Sequence, residues 1–344
     1  MGNRQQIQEI PGALRMTLEK AQAEYGAVVR KVRWGDGPLY ICGEGDCAGL
    51  GLAATYAFET FPGWPVVARR VEFIQLYALH HLRLRPRTVL ILISATGEWP
   101  EGQELARAAH ERDCIVVALT NTPESSLTKV VDHVFLTRVE VDAASPAVTV
   151  CMHGALNFLA FEAARVLKRP EPQWDLLEEE FDQLPDKLEW IFTQLPSVVR
   201  SMAAELALSP RLRIVGGGFY HYPARQAAWR MRSLSSPQVG AVEASEFLDE
   251  HAYFARSGES VLLLSGSHSK MKKLIYRCAA QARSNGGRVL SLTDSNDRDL
   301  VEGSDLGILI PSLLEAPACS LTMFMLEWLA MEALRSAKQP PASK

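Results

Sequence analysis

An α/β fold built twice in tandem is predicted by three observations. Short β-branched or aliphatic runs alternate with helical stretches of about 10–15 residues. The alternation breaks off in an acidic, proline-bearing stretch and then restarts. Landmarks of the first half return in the second half at nearly one spacing. Strands joined by helices of that length imply right-handed βαβ crossovers, and so a parallel sheet with helices on both faces. At roughly 100–200 residues per domain, 344 residues accommodate two such units.

The elements follow in order. Leu39-Tyr40-Ile41-Cys42 is a strand, followed by a glycine-rich turn and a helix through Ala53–Phe58. Val66-Val67-Ala68 is a second strand, with a helix from Phe73 to Leu82. Val89–Ile93 is the third, with a helix from Pro100 to Arg112 whose proline suits the first helical position. Ile115–Leu119 and Val134–Leu136 complete five strands, and the apolar stretch Val148–Leu167 closes the unit as a helix. Residues 168–187, "KRPEPQWDLLEEEFDQLPDK", are predicted to be a linker with some helix, in which Glu178-Glu179-Glu180 forms a solvated face.

The restart is an internal repeat. Gly43 and Gly45 match Gly216 and Gly218, 173 residues on. Glu72-Phe73 matches Glu246-Phe247 at 174, and Ser94 matches Ser265 at 171. Thr120-Asn121 matches Thr293-Asp294, and Asp132 matches Asp305, again at 173. The predicted organisation is a first domain at 15–170, a helical linker at 171–195 and a second domain at 196–335.

A net charge of −4 argues against a broad grip on nucleic acid or anionic membrane. No stretch of about 18 uncharged apolar residues suggests a spanning helix, and the N-terminus lacks the apolar core of a signal peptide. Cys42, Cys47, Cys114, Cys151, Cys278 and Cys319 form no C-x-x-C pair, which points to reduced thiols in a cytoplasm, with Cys42 and Cys114 as small core hydrophobes. The histidines, including the helical pair His80-His81, show no metal-ligand spacing, so no metal site is expected.

In an open parallel sheet, ligands bind beyond the carboxyl ends of the strands, at the switch in strand order. The strand ending in "ISATGEW" (93–99) places Ser94, Thr96 and Gly97 there, just before a helix N-terminus that favours anions. Hydroxyls, amides and a glycine without a lysine make an anion site unlike a triphosphate loop. The competing reading is plain helix capping by Ser94 and Thr96. "GEGDCAG" (43–49) also fits a weak dinucleotide fingerprint; Arg69-Arg70 would then favour a 2′-phosphate, as in an NADP-linked oxidoreductase. In the second half, "LLLSGSHSK" (262–270) offers Ser265, Ser267, Ser269 and Lys270 either as a second anion site or as caps for a helix Met271–Arg283.

The order of these signals resembles the double sugar-isomerase (SIS) domain proteins, such as the isomerase half of glutamine–fructose-6-phosphate aminotransferase and the fructosamine-phosphate deglycases. The resemblance is carried by "YICGEGDCAG" (40–49), "ETFPGWPVVARRVEF" (59–73), "LISATGEW" (92–99), "VVALTNTPESSLTKVVDHVF" (116–135) and "VEVDAAS" (139–145). In the second copy it is carried by "IVGGGFYHYPARQAAWRMRSLS" (214–235) and "VEASEFLD" (242–249), and "IQEIPGALRMTL" (7–18) is similar to the family's lead-in helix. It implies two flavodoxin-like units and a sugar phosphate held by Ser94 and Thr96, supported by Gly97, Gly43 and Gly45. The family's third hydroxyl falls at Trp99, and its C-G-T-S turn reads Cys42-Gly43-Glu44-Gly45.

The catalytic half departs further. The family's basic Glu falls on Ser233, its ring-opening His falls on Asp249, and its C-terminal lysine loop has no counterpart in "RSAKQPPASK". Glu243, Glu246, Asp249, Glu250 and His251 stand nearby. Glu246 is the substitute base and His251 the substitute ring-opening group, although Glu72 as repeat partner suggests a structural role for Glu246. Only a short tail precedes residue 15, so glutamine-derived ammonia is not expected. The resemblance implies a cytoplasmic homodimer acting without cofactor on a keto- or amino-sugar phosphate, by isomerisation or by cleavage at C1/C2. The alternative from another class is a non-catalytic sugar-phosphate sensor.

Overall fold

A computed structural model describes residues 4–32, 37–73, 86–137, 139–140, 145–170, 173–234, 238–251 and 258–338. The chain forms two compact units. The first is Glu9–Asp182; the second is Gln183–Lys344 together with Met1–Gln8.

The first unit holds β1 (Leu39–Gly43), β2 (Val66–Arg70), β3 (Val89–Ser94), β4 (Ile115–Thr120) and β5 (His133–Leu136), in the order β2-β1-β3-β4-β5. Every pairing is parallel. Strand alternation divides the apolar residues between two faces. Tyr40, Cys42, Leu90, Leu92, Val116 and Ala118 share one core cluster with Leu105, Ala106 and Ala109 of the helix Pro100–His110. Ile41 points the other way: a Cβ on Gly51 of the helix Cys47–Thr60 would meet Ile41 Cγ2 at 3.1 Å. On that side Gly154 of the helix Pro146–Val166 lies against Leu14 of the helix Ile10–Lys31.

Pro146–Val166 is long and apolar enough to cross a membrane, contrary to the expectation that no such stretch exists, but 94% of its apolar window is buried. It is a core helix, capped where the Ser145 hydroxyl accepts the Ala147 N–H. The predicted helix Phe73–Leu82, with His80-His81, falls almost wholly outside the described residues.

The second unit repeats the plan with β6 (Arg211–Gly216), β7 (Gln238–Glu243), β8 (Ser260–Leu264), β9 (Arg288–Asp294) and β10 (Leu306–Ile310), ordered β10-β9-β8-β6-β7. That is the first order read from the opposite edge, again all parallel. Both units are thus flavodoxin-like, with the switch in strand order between β1 and β3 and between β6 and β8. Val215, Val261, Leu263 and Val289 pack on Ile275, Cys278 and Ala282 of the helix Lys272–Ser284.

The repeat is visible in single bonds. The Asp132 carboxylate accepts the Val116 N–H at 2.8 Å while its own N–H donates to Val116 O at 2.9 Å. Asp305 does the same to Val289, at 2.7 and 2.8 Å.

The acidic stretch is more ordered than a linker with some helix: Trp174–Gln194 is one helix that runs through Pro185. Its glutamates are not one solvated face. Glu178 pairs with Arg165 at 2.8 Å, and Glu180 is buried.

Candidate functional site

At the switch point of the first unit, two loops face each other. The first is the turn after β1. A Cβ on Gly43 would lie 2.2 Å from the backbone of Cys47, so only glycine lets the helix Cys47–Thr60 start this close to the strand. Gly45 holds φ +49°, in the left-handed region. The Glu44 N–H donates to Ile93 O at 2.9 Å, which ties the turn to β3.

The second loop is Ser94–Trp99. Ser94 is fully buried, and its Oγ accepts the Gly97 N–H at 2.9 Å. Thr96 is exposed, and its Oγ1 accepts the Glu98 N–H at 3.1 Å. Gly97 has φ +67°, and a Cβ there would collide with Ser125 Oγ at 2.0 Å. The loop is fastened to the one after β4: Asn121 N donates to Ala95 O, Leu127 N donates to Gly97 O, and Ser126 donates to the Glu98 carboxylate. These bonds hold the Glu98 carboxyl below the ordinary carboxylate range.

Capping of the following helix is therefore not what these hydroxyls do. The N-cap of Pro100–His110 is Trp99, with no side-chain hydrogen bond. Ser94 and Thr96 instead brace the loop's own amides. Trp99, at the place of the family's third hydroxyl, turns into the core and is 3% exposed.

Glu44 turns toward Ser94. Ser94 Oγ donates to Glu44 Oε2 at 2.5 Å, a charge-assisted hydrogen bond that places a carboxylate in the hydroxyl cradle. The same carboxylate disfavours a pyrophosphate approaching this turn. Arg69 and Arg70 end β2 as exposed side chains.

The second unit repeats this geometry with different chemistry. A Cβ on Gly216 would lie 2.4 Å from Tyr220 O, and Gly218 has φ +57°. Ser265 follows β8, and its buried Oγ has no hydrogen-bond partner. Ser267 donates through both N–H (2.7 Å) and Oγ (2.9 Å) to Asp294 Oδ2. Ser269 Oγ accepts the Met271 N–H, one residue ahead of the helix, and also hydrogen-bonds Glu315, whose carboxyl burial pushes up. Lys272 pairs with Asp297 at 2.8 Å. Two of the three hydroxyls, those of Ser267 and Ser269, are answered by carboxylates of the same unit, Asp294 and Glu315, and only that of Ser265 is left open.

Of the catalytic candidates with described side chains, Glu243 lies at the second-unit turn, where a Cβ on Gly217 would fall 3.1 Å from its Oε1. Glu246 and Asp249 are exposed on the short helical segments Ala244–Glu246 and Phe247–His251. Glu243 is committed to the N–H and hydroxyl of Ser245. Ser233 lies near the end of the helix His221–Leu234, about 18 Å along its axis from the strand-end turn at ~1.5 Å per residue. The side chains of Ser233, Glu250 and His251 fall outside the described residues.

A residue missed by sequence reasoning does sit at the second switch point. His221 opens the helix that follows the Gly216–Gly218 turn, and its Nδ1 is buried without a partner. Burial and then Arg225 hold its imidazole below the ordinary value, against the pull of Glu243, Glu246 and the Gly216 carbonyl. Its signal in the sequence was its place directly after the repeated glycine turn.

Thiol chemistry is not favoured. Burial pushes Cys42 and Cys47, beside the first turn, up to about 12. Among the described residues no group of three or more His, Cys, Asp or Glu side chains could hold a metal ion. Two clefts of the second unit lie away from the switch point. One of about 690 Å3 opens at the amino ends of its strands, beside Glu259, Ser260 and Arg288. One of about 790 Å3 is flanked by Trp190, Arg298 and Pro311.

A family model described as SIS domain matches residues 38–165 and again 205–332. Glutamine–fructose-6-phosphate aminotransferase [isomerizing] of Chlorobaculum tepidum is 23% identical over 296 residues, covering 85% of this chain and 47% of that protein. The chain spans about half the length of the curated relatives it matches. Among solved structures, the C-terminal domain of glucosamine-fructose-6-phosphate aminotransferase from Francisella tularensis superposes with a TM-score of 0.81 at 16% identity, covering 96% of this chain and 95% of that one. Tagatose-6-phosphate ketose/aldose isomerase from Escherichia coli gives 0.75 at 16% identity, covering 99% and 95%.

Proposed function

From the premise that the chain belongs to the SIS-domain family, we propose that it binds a sugar phosphate, with the phosphate at the first-unit switch point. Ser94 and Thr96 supply hydroxyls, Gly97, Gly43 and Gly45 allow close backbone approach, and the helix N-termini at Cys47 and Pro100 add favourable partial charge. The observation that carries this reading is the juxtaposition of the Gly43–Gly45 turn and the Ser94–Gly97 loop at the switch in strand order.

On a bound keto- or amino-sugar phosphate, the reaction is isomerisation or cleavage at C1/C2. Proton transfer between adjacent carbons needs a base and a group that opens the ring, and no cofactor. Glu246 is the candidate base, with His251 as ring-opening group and Asp249 and Ser233 at the positions the family uses. The protein acts as a cytoplasmic homodimer. A second reading, a sugar-phosphate sensor without catalysis, is favoured by the solvent exposure of Glu246 and Asp249 and by the commitment of Glu243 to Ser245.

Thermal-shift screening against hexose 6-phosphates, fructosamine phosphates and NADP tests the binding reading. Stabilisation by a sugar phosphate that is lost in Ser94→Ala/Thr96→Ala is expected; stabilisation by NADP alone refutes it. Proton exchange at C2 in deuterated water then separates the enzyme from the sensor: exchange abolished by Glu246→Gln or His251→Ala supports catalysis, and no exchange supports the sensor.

A further inference from the structure

The two units form an internal comparison at one position. Glu44 follows Gly43 at the end of β1, and Gly217 follows Gly216 at the end of β6, 173 residues later. Their partners across the switch point are Ser94 and Ser265. Where the residue is Glu44, the strand-end hydroxyl is satisfied: Ser94 Oγ donates to Oε2 at 2.5 Å. Where it is Gly217, Ser265 Oγ is buried and has no hydrogen-bond partner. The presence of that side chain therefore tracks with whether the cradle is filled from within.

A carboxylate that accepts this hydroxyl does what a phosphate oxygen would do there, with the same sign of charge. Two anions cannot share one hydroxyl proton, and in a half-buried loop their repulsion is poorly screened. We propose that Glu44 is an intramolecular stand-in for the ligand's anionic group and the specificity-determining residue of the first-unit subsite. A phosphate reaches Ser94 only by displacing the Glu44 carboxylate, so affinity is set by that competition. This rests on the sugar-phosphate reading above for the identity of the ligand, but not for the displacement itself.

Isothermal titration of the full chain with inorganic phosphate and with glucose 6-phosphate tests it. The proteins are the natural chain, Glu44→Gln, Glu44→Gly and Glu44→Gly/Ser94→Ala, each checked for folding by circular dichroism. Glu44→Gln removes the charge at constant size, and Glu44→Gly places at this position the residue that the second unit carries at 217. Both are expected to bind phosphate about tenfold tighter or more, with the gain lost when Ser94→Ala is added. Unchanged or weaker phosphate binding in folded Glu44→Gln overturns the proposal. If phosphate tightens but glucose 6-phosphate binds no better than phosphate, displacement stands and the sugar reading falls. If glucose 6-phosphate binds all Ser94-containing proteins alike, the sugar reading stands and displacement falls. If neither anion binds any of them, both fall.

Discussion

Trp99→Ala asks whether the residue ending the hydroxyl loop belongs to the core or faces a ligand. The indole is 3% exposed and shares a cluster with Tyr40, Leu90, Leu92 and Leu105. A Cβ on Gly102 would fall 2.3 Å from Trp99 Cε3, so the ring lies directly on that glycine. Truncating a buried tryptophan costs about 3–5 kcal/mol. In a unit of this size each kcal/mol moves the midpoint about 2–4 °C, so its transition should fall by about 6–20 °C. Differential scanning calorimetry reads this, with Trp190→Ala, 48% exposed, as a control expected to move by about 2 °C or less. Trp99→Ser, which restores a hydroxyl, should lose as much as Trp99→Ala. A Trp99→Ala protein that melts within about 2 °C of the natural chain refutes the core assignment.

Two further outcomes follow from buried titratable groups. Burial on the helix Pro146–Val166 pushes the His153 imidazole down to about 4. The unfolded chain protonates this group near pH ~6.5 and the folded chain does not until about 4. Stability is therefore full above the upper value and falls as pH drops through that window, by about 3 kcal/mol. Urea titrations at neutral and acid pH should show this loss, and His153→Gln should remove it; an equal loss in both proteins refutes the assignment. All six cysteines are buried thiols, with Cys42, Cys47, Cys151 and Cys278 pushed up to about 12. Iodoacetamide near pH 8 should leave the native chain unlabelled and modify all six thiols in urea; rapid labelling of native Cys47 would contradict its burial.

The strands and their alternation with helices were legible because their determinants are local and periodic, whereas the flavodoxin-like arrangement of the sheet was implied only by the family resemblance. Aliphatic runs buried on both faces identify β1, β3, β4 and β8, and the Gly43/Gly216 coincidence marks a helix that starts too close to its strand for any Cβ. The spacing also located the hydroxyl loop. The direction of Glu44 was not legible, because a side chain's aim depends on which neighbour, here Ser94, completes its hydrogen bond across the switch point. His221 was missed for a related reason: its perturbation arises from burial and from Arg225 one turn along the helix, neither of which is a motif. Pro185 does not end the helix Trp174–Gln194, whose apolar positions Leu184 and Leu188 are fully buried.

The paired bonds of Asp132 and Asp305 bear on alignment along the sheet. Each aspartate engages both ladder groups of a residue on the neighbouring strand, one step before regular pairing begins at Val117↔His133 and at Leu306↔Leu290. An edge strand as short as His133–Leu136 has few bonds with which to choose its alignment, and a slip of one residue would swap its inner and outer faces. The carboxylate acts as a detent. It makes the starting position of the strand a discrete choice, and β5 and β10, each one of the two edge strands of its sheet, carry one apiece.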